Sequence, residues 1–133
     1  MRVAMTVSLP RQPTSVTRAR NVLTTLLSLT DATEESRSHL AILITEACAN
    51  AVTHAADSST IDVAITIDDH RCTIEVGNAG TNRQCPRIDA KLPDALAVGG
   101  RGLPLIATLA DTAAFVPTAH GHVLLRITKQ LAC

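Results

Sequence analysis

Three polar residues, Glu46, Asn50 and His54, follow one another at intervals of four along the chain. On a helix of 3.6 residues per turn, each step of four drifts by only about 40°, so the three side chains form one ridge. A carboxylate, an amide oxygen and an imidazole in one row can supply a base, a metal ligand and a phosphate contact. The row is also typical of the solvated face of an amphipathic helix, and its spacing alone leaves both interpretations open.

A second segment whose residues could take part in binding or catalysis is rich in glycine. Residues 99–102 read Gly-Gly-Arg-Gly and precede an apolar run at 103–110. Glycines before a helix let backbone N–H groups approach a phosphate, and the helix N-terminus favours its negative charge. A plain helix-entry loop is the alternative. Arg101 could contact a phosphate or a partner protein, and a simple solvated charge is the other interpretation.

These residues need a framework to position them. Alternating apolar residues predict strands at 3–9, 61–67 and 72–78, the last two joined by a turn at 68–70. Helical periodicity predicts a first helix capped by Thr14 or Ser15 and ending near Leu29. A second helix, ending near Ala56, carries the ridge. Asn78 shares the parity of Ile74 and Val76, so we expect it on the buried side, where it needs a partner.

The remaining elements follow a long connection. Residues 81–98 form a loop of about 18 residues, a length typical of a functional lid or a disordered segment. A short helix then follows Gly102, with Pro104 in its first turn, and strands lie near 112–117 and 122–128. The order predicts one α+β domain over residues 1–133, a two-layer α/β sandwich. Its sheet is expected to be mixed but mostly antiparallel, with the helices on one face.

The bulk composition excludes several classes of protein. The 133 residues carry no net charge and include one aromatic residue, so neither a basic stripe nor a base-stacking platform for nucleic acid is present. No apolar run reaches the roughly 18 residues of a membrane span. The four cysteines match no zinc pattern, and Cys48 and Cys72 suit buried, reduced thiols. We therefore expect a cytoplasmic protein that contacts neither membrane nor nucleic acid directly.

Taken in order, the motifs resemble those of the GHKL ATPases, and more closely those of the bacterial anti-sigma-factor serine/threonine kinases. Residues 46–55 resemble the N box of that branch, Glu-x-x-x-Asn-Ala-x-x-His-Ala. Residues 76–82 occupy the place of its Asp-x-Gly-x-Gly motif, and 100–103 resemble its second glycine box. Residues 121–123 occupy the place of the final Gly-x-Thr.

The resemblance implies a histidine kinase-like ATPase fold that binds ATP with Mg²⁺. It implies Glu46 as the catalytic base and Asn50 as the Mg²⁺ ligand. The further nucleotide contacts that it implies are His54, Asn78, Gly80, Gly100, Arg101, Gly102 and Leu103. The implied partners are a sigma factor held inactive, an antagonist protein that is phosphorylated, and a second copy in a homodimer.

Three positions depart from the family pattern. Asn78 replaces an aspartate, Asn82 replaces a glycine, and Val123 replaces a hydroxyl residue. Asparagine can still face adenine, because its oxygen accepts from the N6 amine and its NH₂ group donates to N1. Glu46 and Asn50 favour a kinase, whereas the three departures favour a regulatory binding module with little or no kinase activity.

Overall fold

The computed structural model describes residues 2–54, 60–78, 102–118 and 123–133. Over these residues the chain forms five strands and three helices, in the predicted order. They are β1 (Arg2–Pro10), α1 (Pro13–Leu27), α2 (Glu34–His54), β2 (Thr60–Asp68), β3 (Arg71–Asn78), α3 (Gly102–Leu109), β4 (Thr112–Pro117) and β5 (Val123–Gln130). The α+β class is confirmed.

The strands form one sheet in the order β1-β2-β3-β5-β4. All four neighbouring pairs are antiparallel, so the sheet that we expected to be mixed is antiparallel throughout its described strands. β5 lies between β3 and β4 and pairs with both of them, so the last strand of the chain is inserted beside β3. This arrangement leaves β1 and β4 as the two edges of the described sheet.

The core lies between one face of the sheet and the helices. In the inner strands, alternate residues are buried, as the period of two predicts. The hydrophobic residues buried in this core are aliphatic or cysteine, and they include Ile61, Val63, Ile65, Ile67, Cys72, Ile74, Val76, Leu125 and Ile127 on the sheet and Leu40, Leu43, Ile44, Ala47, Cys48 and Ala51 on α2. Cys48 and Cys72 are free thiols, as predicted. None of the described helices is long and apolar enough to cross a membrane.

The start of α1 differs from the prediction. Pro13 is its first residue, and the preceding Gln12 is extended and forms no side-chain cap. Proline is well tolerated in the first turn, where its missing N–H would have no helical partner. Ser15 is buried and donates its hydroxyl to the carbonyl of Pro10. The prediction that Thr14 or Ser15 caps this helix is therefore wrong.

The start of α2 is fixed by several hydrogen bonds. Thr33 is its N-terminal cap, because its Oγ1 accepts a 3.1 Å bond from the amide of Ser36. The segment after β5 lies against this end: the amide of Thr33 donates to the carbonyl of Ala132 at 2.8 Å, and the amide of Ala132 donates to Ser36 Oγ at 2.9 Å. These bonds join two parts of the chain that are distant in sequence.

Candidate functional site

The predicted ridge lies on α2. Glu46 and Asn50 are half-buried, beside the buried stripe that contains Leu43 and Ala47. Among the described residues, neither side chain forms a hydrogen bond or an ion pair. Their oxygen atoms are thus available to a ligand. His54 ends the helix, and its side chain lies outside what the structure describes.

The orientation of the ridge follows from a contact between α1 and α2. Arg20 of α1 donates from Nη1 to Thr45 Oγ1 at 3.4 Å, which marks the side of α2 that meets α1. Glu46 is the next residue and is turned by about 100° around the helix axis. The ridge is therefore directed away from α1 and is partly open to solvent.

The end of β3 lies at the same end of the molecule as the C-terminal part of α2. Ala132, just after β5, contacts Thr33 at the start of α2, and β5 runs antiparallel to β3. β3 therefore ends away from the start of α2. Its last residue, Asn78, pairs with Ile61, near the beginning of β2, the strand that follows α2. The backbone of Asn78 thus lies at the end of the molecule where α2 finishes. Its side chain lies outside the described structure, so its inward orientation stays a prediction.

Helix α3 directs its N-terminus toward the same region. Lys129 of β5 donates from Nζ to the carbonyl of Leu109, the last residue of α3, at 2.7 Å. This bond holds the C-terminal end of α3 near the end of β5, beside the start of α2. The opposite end, with Gly102 and the buried Leu103, is therefore directed toward the C-terminal half of α2, against which α3 packs. A helix N-terminus presents free N–H groups and partial positive charge, both suited to phosphate.

The ridge offers an oxygen ligand that suits a magnesium ion bound to phosphate. The described residues contain no group of three or more His, Cys, Asp or Glu that could hold a metal ion. Asn50 offers one hard oxygen, and Mg²⁺ typically takes one or two protein ligands and completes its shell with phosphate and water. Asn50 is therefore suited to bind Mg²⁺. Glu46 precedes it by four residues, which corresponds to a backbone rise of about 6 Å along the helix axis.

Thiol chemistry is excluded on the same helix. Cys48, two residues after Glu46, is buried, and desolvation raises the pKa of its thiol to about 12. The thiolate is the nucleophilic form of cysteine, and burial keeps this group neutral. Among the ridge residues whose side chains the structure describes, Glu46 carries the only carboxylate.

Several predicted residues fall outside the described structure. They are Gly80, Gly100 and Arg101, together with the predicted loop at 81–98 and the variant position Asn82. Val123, the third departure from the family pattern, is described and is 8% exposed. A buried hydrocarbon at this position cannot replace the hydrogen bond of a hydroxyl group.

Lys129 is a positioning residue that the sequence pattern did not reveal. Its contact with Leu109 spans 20 residues and depends on β5 lying beside β4. No local motif marks such a lysine, because it lies within an ordinary strand. Only knowledge of the strand order could have identified it.

Comparisons with known proteins identify the family and the fold of this chain. The profile of the histidine kinase-like ATPase domain matches residues 9–129. No curated protein matches the sequence.

Two solved structures share the fold. The first is the crystal structure of the RsbU and RsbW domains of Rv1364c from Mycobacterium tuberculosis, with a TM-score of 0.71 and 18% identity over 97% of this chain. This chain spans only 32% of that one. The second is the SiaB–SiaC complex from Pseudomonas aeruginosa, with a TM-score of 0.70 and 16% identity over 93% of this chain and 88% of that chain. At these identities the likeness concerns the fold, and the profile match supplies the family. This chain therefore belongs to the histidine kinase-like ATPase domain family.

Proposed function

We propose that this protein is an ATP-binding anti-sigma factor and protein serine/threonine kinase of the cytoplasm. It holds a sigma factor inactive and phosphorylates an antagonist protein of that factor, and it works as a homodimer. The observation that carries the proposal is the convergence of three elements at one end of the molecule. The C-terminal half of α2, the end of β3 and the N-terminus of α3 meet there.

Each element has a distinct task in the proposed reaction. Asn50 holds Mg²⁺, which neutralises phosphate charge when it is bound. The N–H groups at Gly102 and Leu103 donate hydrogen bonds to phosphate oxygens. Gly100 and Arg101, which precede them in sequence, and His54, which follows Asn50 on α2, make further contacts with the nucleotide. Asn78 and Gly80 contact the adenine ring. These contacts orient the terminal phosphate toward the acceptor, and positioning accounts for most of the catalysis in phosphoryl transfer.

Glu46 is the proposed general base. The acceptor hydroxyl belongs to a serine or threonine of the partner protein, so the chain needs no nucleophile of its own. The Glu46 carboxylate takes the hydroxyl proton as the hydroxyl oxygen attacks the terminal phosphorus of ATP, and the bond from that phosphorus to the bridging oxygen breaks, so that ADP leaves. Its half-buried position, with no described partner, leaves it able to accept that proton.

The choice of partners rests on two supports. The N box at residues 46–55 resembles that of the anti-sigma-factor kinases. The structural neighbours include an RsbW domain and SiaB in complex with SiaC, so this fold occurs in a complex with a second protein.

A regulatory binding module is the second candidate. Its specific support is the set of departures at Asn78, Asn82 and Val123, the last of which is a buried hydrocarbon. Such a module would bind its partners without phosphorylating them. The two functions differ in phosphoryl transfer alone, so transfer is the quantity to measure.

The test is a transfer assay. The protein is mixed with Mg-ATP and candidate antagonist proteins, and mass spectrometry searches for a phosphorylated serine or threonine. Phosphorylation that disappears with Glu46→Gln supports the kinase. A stable complex with an antagonist that never becomes phosphorylated, despite measurable ATP binding, supports the binding module instead.

A further inference from the structure

A thiol and an imidazole meet on the surface at the end of the molecule where α2 begins. Cys133, which follows β5, places its Sγ 3.8 Å from Nδ1 of His70, in the turn between β2 and β3. Both side chains are exposed to solvent. The candidate nucleotide site lies at the opposite end of α2, so the proposed function gives this pair no task.

Backbone hydrogen bonds hold the two segments together. The amide of Leu131 donates to the carbonyl of His70 at 2.6 Å, so the segment after β5 lies against the turn. The carbonyl of Ala132 accepts a bond from the amide of Thr33 at the start of α2. Cys133 follows directly, and its contact with His70 joins side chains that are 63 residues apart in sequence. The contact is therefore a product of the fold.

Cys133 differs from the other cysteines that the structure describes. Cys48 and Cys72 are buried, and desolvation raises the pKa of each thiol to about 12. A buried thiol that keeps its proton is a poor nucleophile, because the thiolate is the reactive form. Cys133 is exposed and has an imidazole nitrogen within hydrogen-bond reach. Among the described cysteines, Cys133 alone combines access from solvent with a neighbouring base.

The imidazole offers the thiol an acceptor for its proton. When Nδ1 of His70 is unprotonated, the Cys133 thiol donates to it, and proton transfer along this bond leaves a thiolate beside an imidazolium. A nucleophile hydrogen-bonded to a base is the arrangement that activates cysteine toward electrophiles. Because both groups are exposed, a small electrophile can reach the sulfur without any movement of the core.

We propose that Cys133 is a site of reversible modification by small disulfides of the glutathione type, with His70 as the base. The proton of the Cys133 thiol moves to Nδ1 of His70, and Sγ attacks one sulfur of the disulfide. The S–S bond of the disulfide breaks, and its second sulfur leaves as a thiolate that takes the proton back from His70. The products are a mixed disulfide at Cys133 and one free thiol. A small thiol reverses the exchange, so the modified fraction follows the balance of disulfide and thiol in the surroundings.

The modification is independent of the proposed kinase activity. Cys133 lies near the start of α2, whereas Asn50 lies in the C-terminal half of that helix. A protein that never binds ATP is still expected to react at Cys133, and a kinase whose Cys133 is inert remains a kinase.

The test follows the reaction of the folded protein with oxidised glutathione at neutral pH. Mass spectrometry of digested samples measures the modified fraction of each cysteine over time. We expect Cys133 to react faster than Cys48 and Cys72 by roughly tenfold or more. In urea this difference should disappear, and the rate at Cys133 should fall, because unfolding separates it from His70. A repeat with Cys85→Ser excludes exchange through Cys85, which lies outside the described residues.

A variant tests the part of the imidazole. His70→Asn keeps a polar residue that suits a turn but cannot take the thiol proton, and we expect modification of Cys133 to slow by roughly tenfold or more. His39→Ala is the matched control, because it removes an imidazole on α2 that faces Glu35. It should leave the rate at Cys133 unchanged. Circular dichroism verifies that both variants are folded.

Two results overturn the proposal. One is a rate at Cys133 that is the same in folded His70→Asn as in the original protein. The other is a rate at Cys133 that is no greater in the folded original protein than in urea, and this comparison decides the matter even if His70→Asn does not fold.

Discussion

Lys129 of β5 donates a 2.7 Å hydrogen bond from its ammonium group to the carbonyl of Leu109, the last residue of α3. A cation at a helix C-terminus also interacts favourably with the helix dipole. The bond therefore holds α3 in the direction that turns its N-terminus toward the C-terminal half of α2.

Replacing this lysine should loosen α3. Lys129→Met keeps the length of the side chain but removes the charged donor, and we expect the free energy of unfolding to fall by about 1–2 kcal/mol. Urea unfolding followed by circular dichroism measures the change. Lys129→Arg retains the cation and should recover most of the loss. Equal stability of the Met variant and the original would show that the bond does not stabilise α3.

Asn50 should determine the magnesium dependence of nucleotide binding. Asn50→Ala removes the proposed oxygen ligand from a half-buried position outside the core, so we expect roughly tenfold weaker binding of Mg-ATP, with little change in thermal stability. Isothermal titration calorimetry with and without Mg²⁺ measures both effects. Thr53→Ala, at an exposed position of the same helix, is the control. If calorimetry gives one affinity for ATP with and without magnesium, Asn50 does not hold the ion.

Glu46 should affect transfer and not binding. Glu46→Gln is nearly isosteric but cannot take a proton, and loss of a general base typically costs on the order of 10²–10⁴-fold in rate. ATP affinity should remain within a few-fold. Single-turnover phosphorylation of the antagonist measures the transfer step. A rate that stays within a few-fold of the original would remove Glu46 from the role of base.

Asn78→Asp should restore the acceptor typical of the family. A charged acceptor for the adenine amine gains roughly 1.5–3 kcal/mol against about 0.5–1.5 kcal/mol for a neutral one. Burying the charge takes back part of the gain, so ATP should bind about five- to tenfold more tightly.

Two other results are informative for Asn78→Asp. Weaker binding would mean that the asparagine already complements the N6 and N1 edge of adenine. Unchanged binding would mean that residue 78 does not touch the base, and the binding-module function would then be favoured.

The buried thiols predict a fall in stability at high pH. Burial raises the pKa of Cys48 and of Cys72 to about 12, against 9.0 for an unperturbed thiol. Above pH 9 the unfolded chain therefore binds fewer protons than the folded chain, and the free energy of unfolding falls as the pH rises. The contribution of the protonated thiols to the free energy of unfolding is fully present below pH 9 and is lost as the pH rises toward 12. Between these values each thiol lowers the free energy of unfolding by about 1.4 kcal/mol per pH unit. The free energy of unfolding of the original protein and of Cys72→Ala can be measured in urea from about pH 8 to about pH 11. It should fall less steeply with pH in the variant, which has lost one buried thiol.

Local periodicity was sufficient to predict most of the elements. Alternating Ile61, Val63, Ile65 and Ile67 specify β2 and its buried face, and the four-residue spacing from Glu46 specifies the ridge of α2. The predicted cap of α1 was wrong because the helix begins at Pro13, before Thr14 and Ser15. The hydroxyl of Ser15 donates instead to the carbonyl of Pro10.

Long-range features could not be predicted in the same way. The insertion of β5 between β3 and β4, the contact of Lys129 with Leu109 and the contact of Thr33 with Ala132 all join segments distant in sequence. Their energies depend on the assembled sheet and leave no trace in local spacing. The direction of α3, and hence the convergence at the candidate site, rests on these contacts.

The hydrogen bonds that join Thr33 and Ser36 to Ala132 have a practical consequence for protein engineering. They lie at the start of α2, at the opposite end of the helix from Asn50 and His54. Stabilising substitutions often reduce activity when they stiffen a catalytic region. Here the anchored end and the proposed nucleotide site are separated by most of a 21-residue helix. We therefore expect that a stabilising substitution around Ala132 would raise the melting temperature and leave the proposed nucleotide site unchanged.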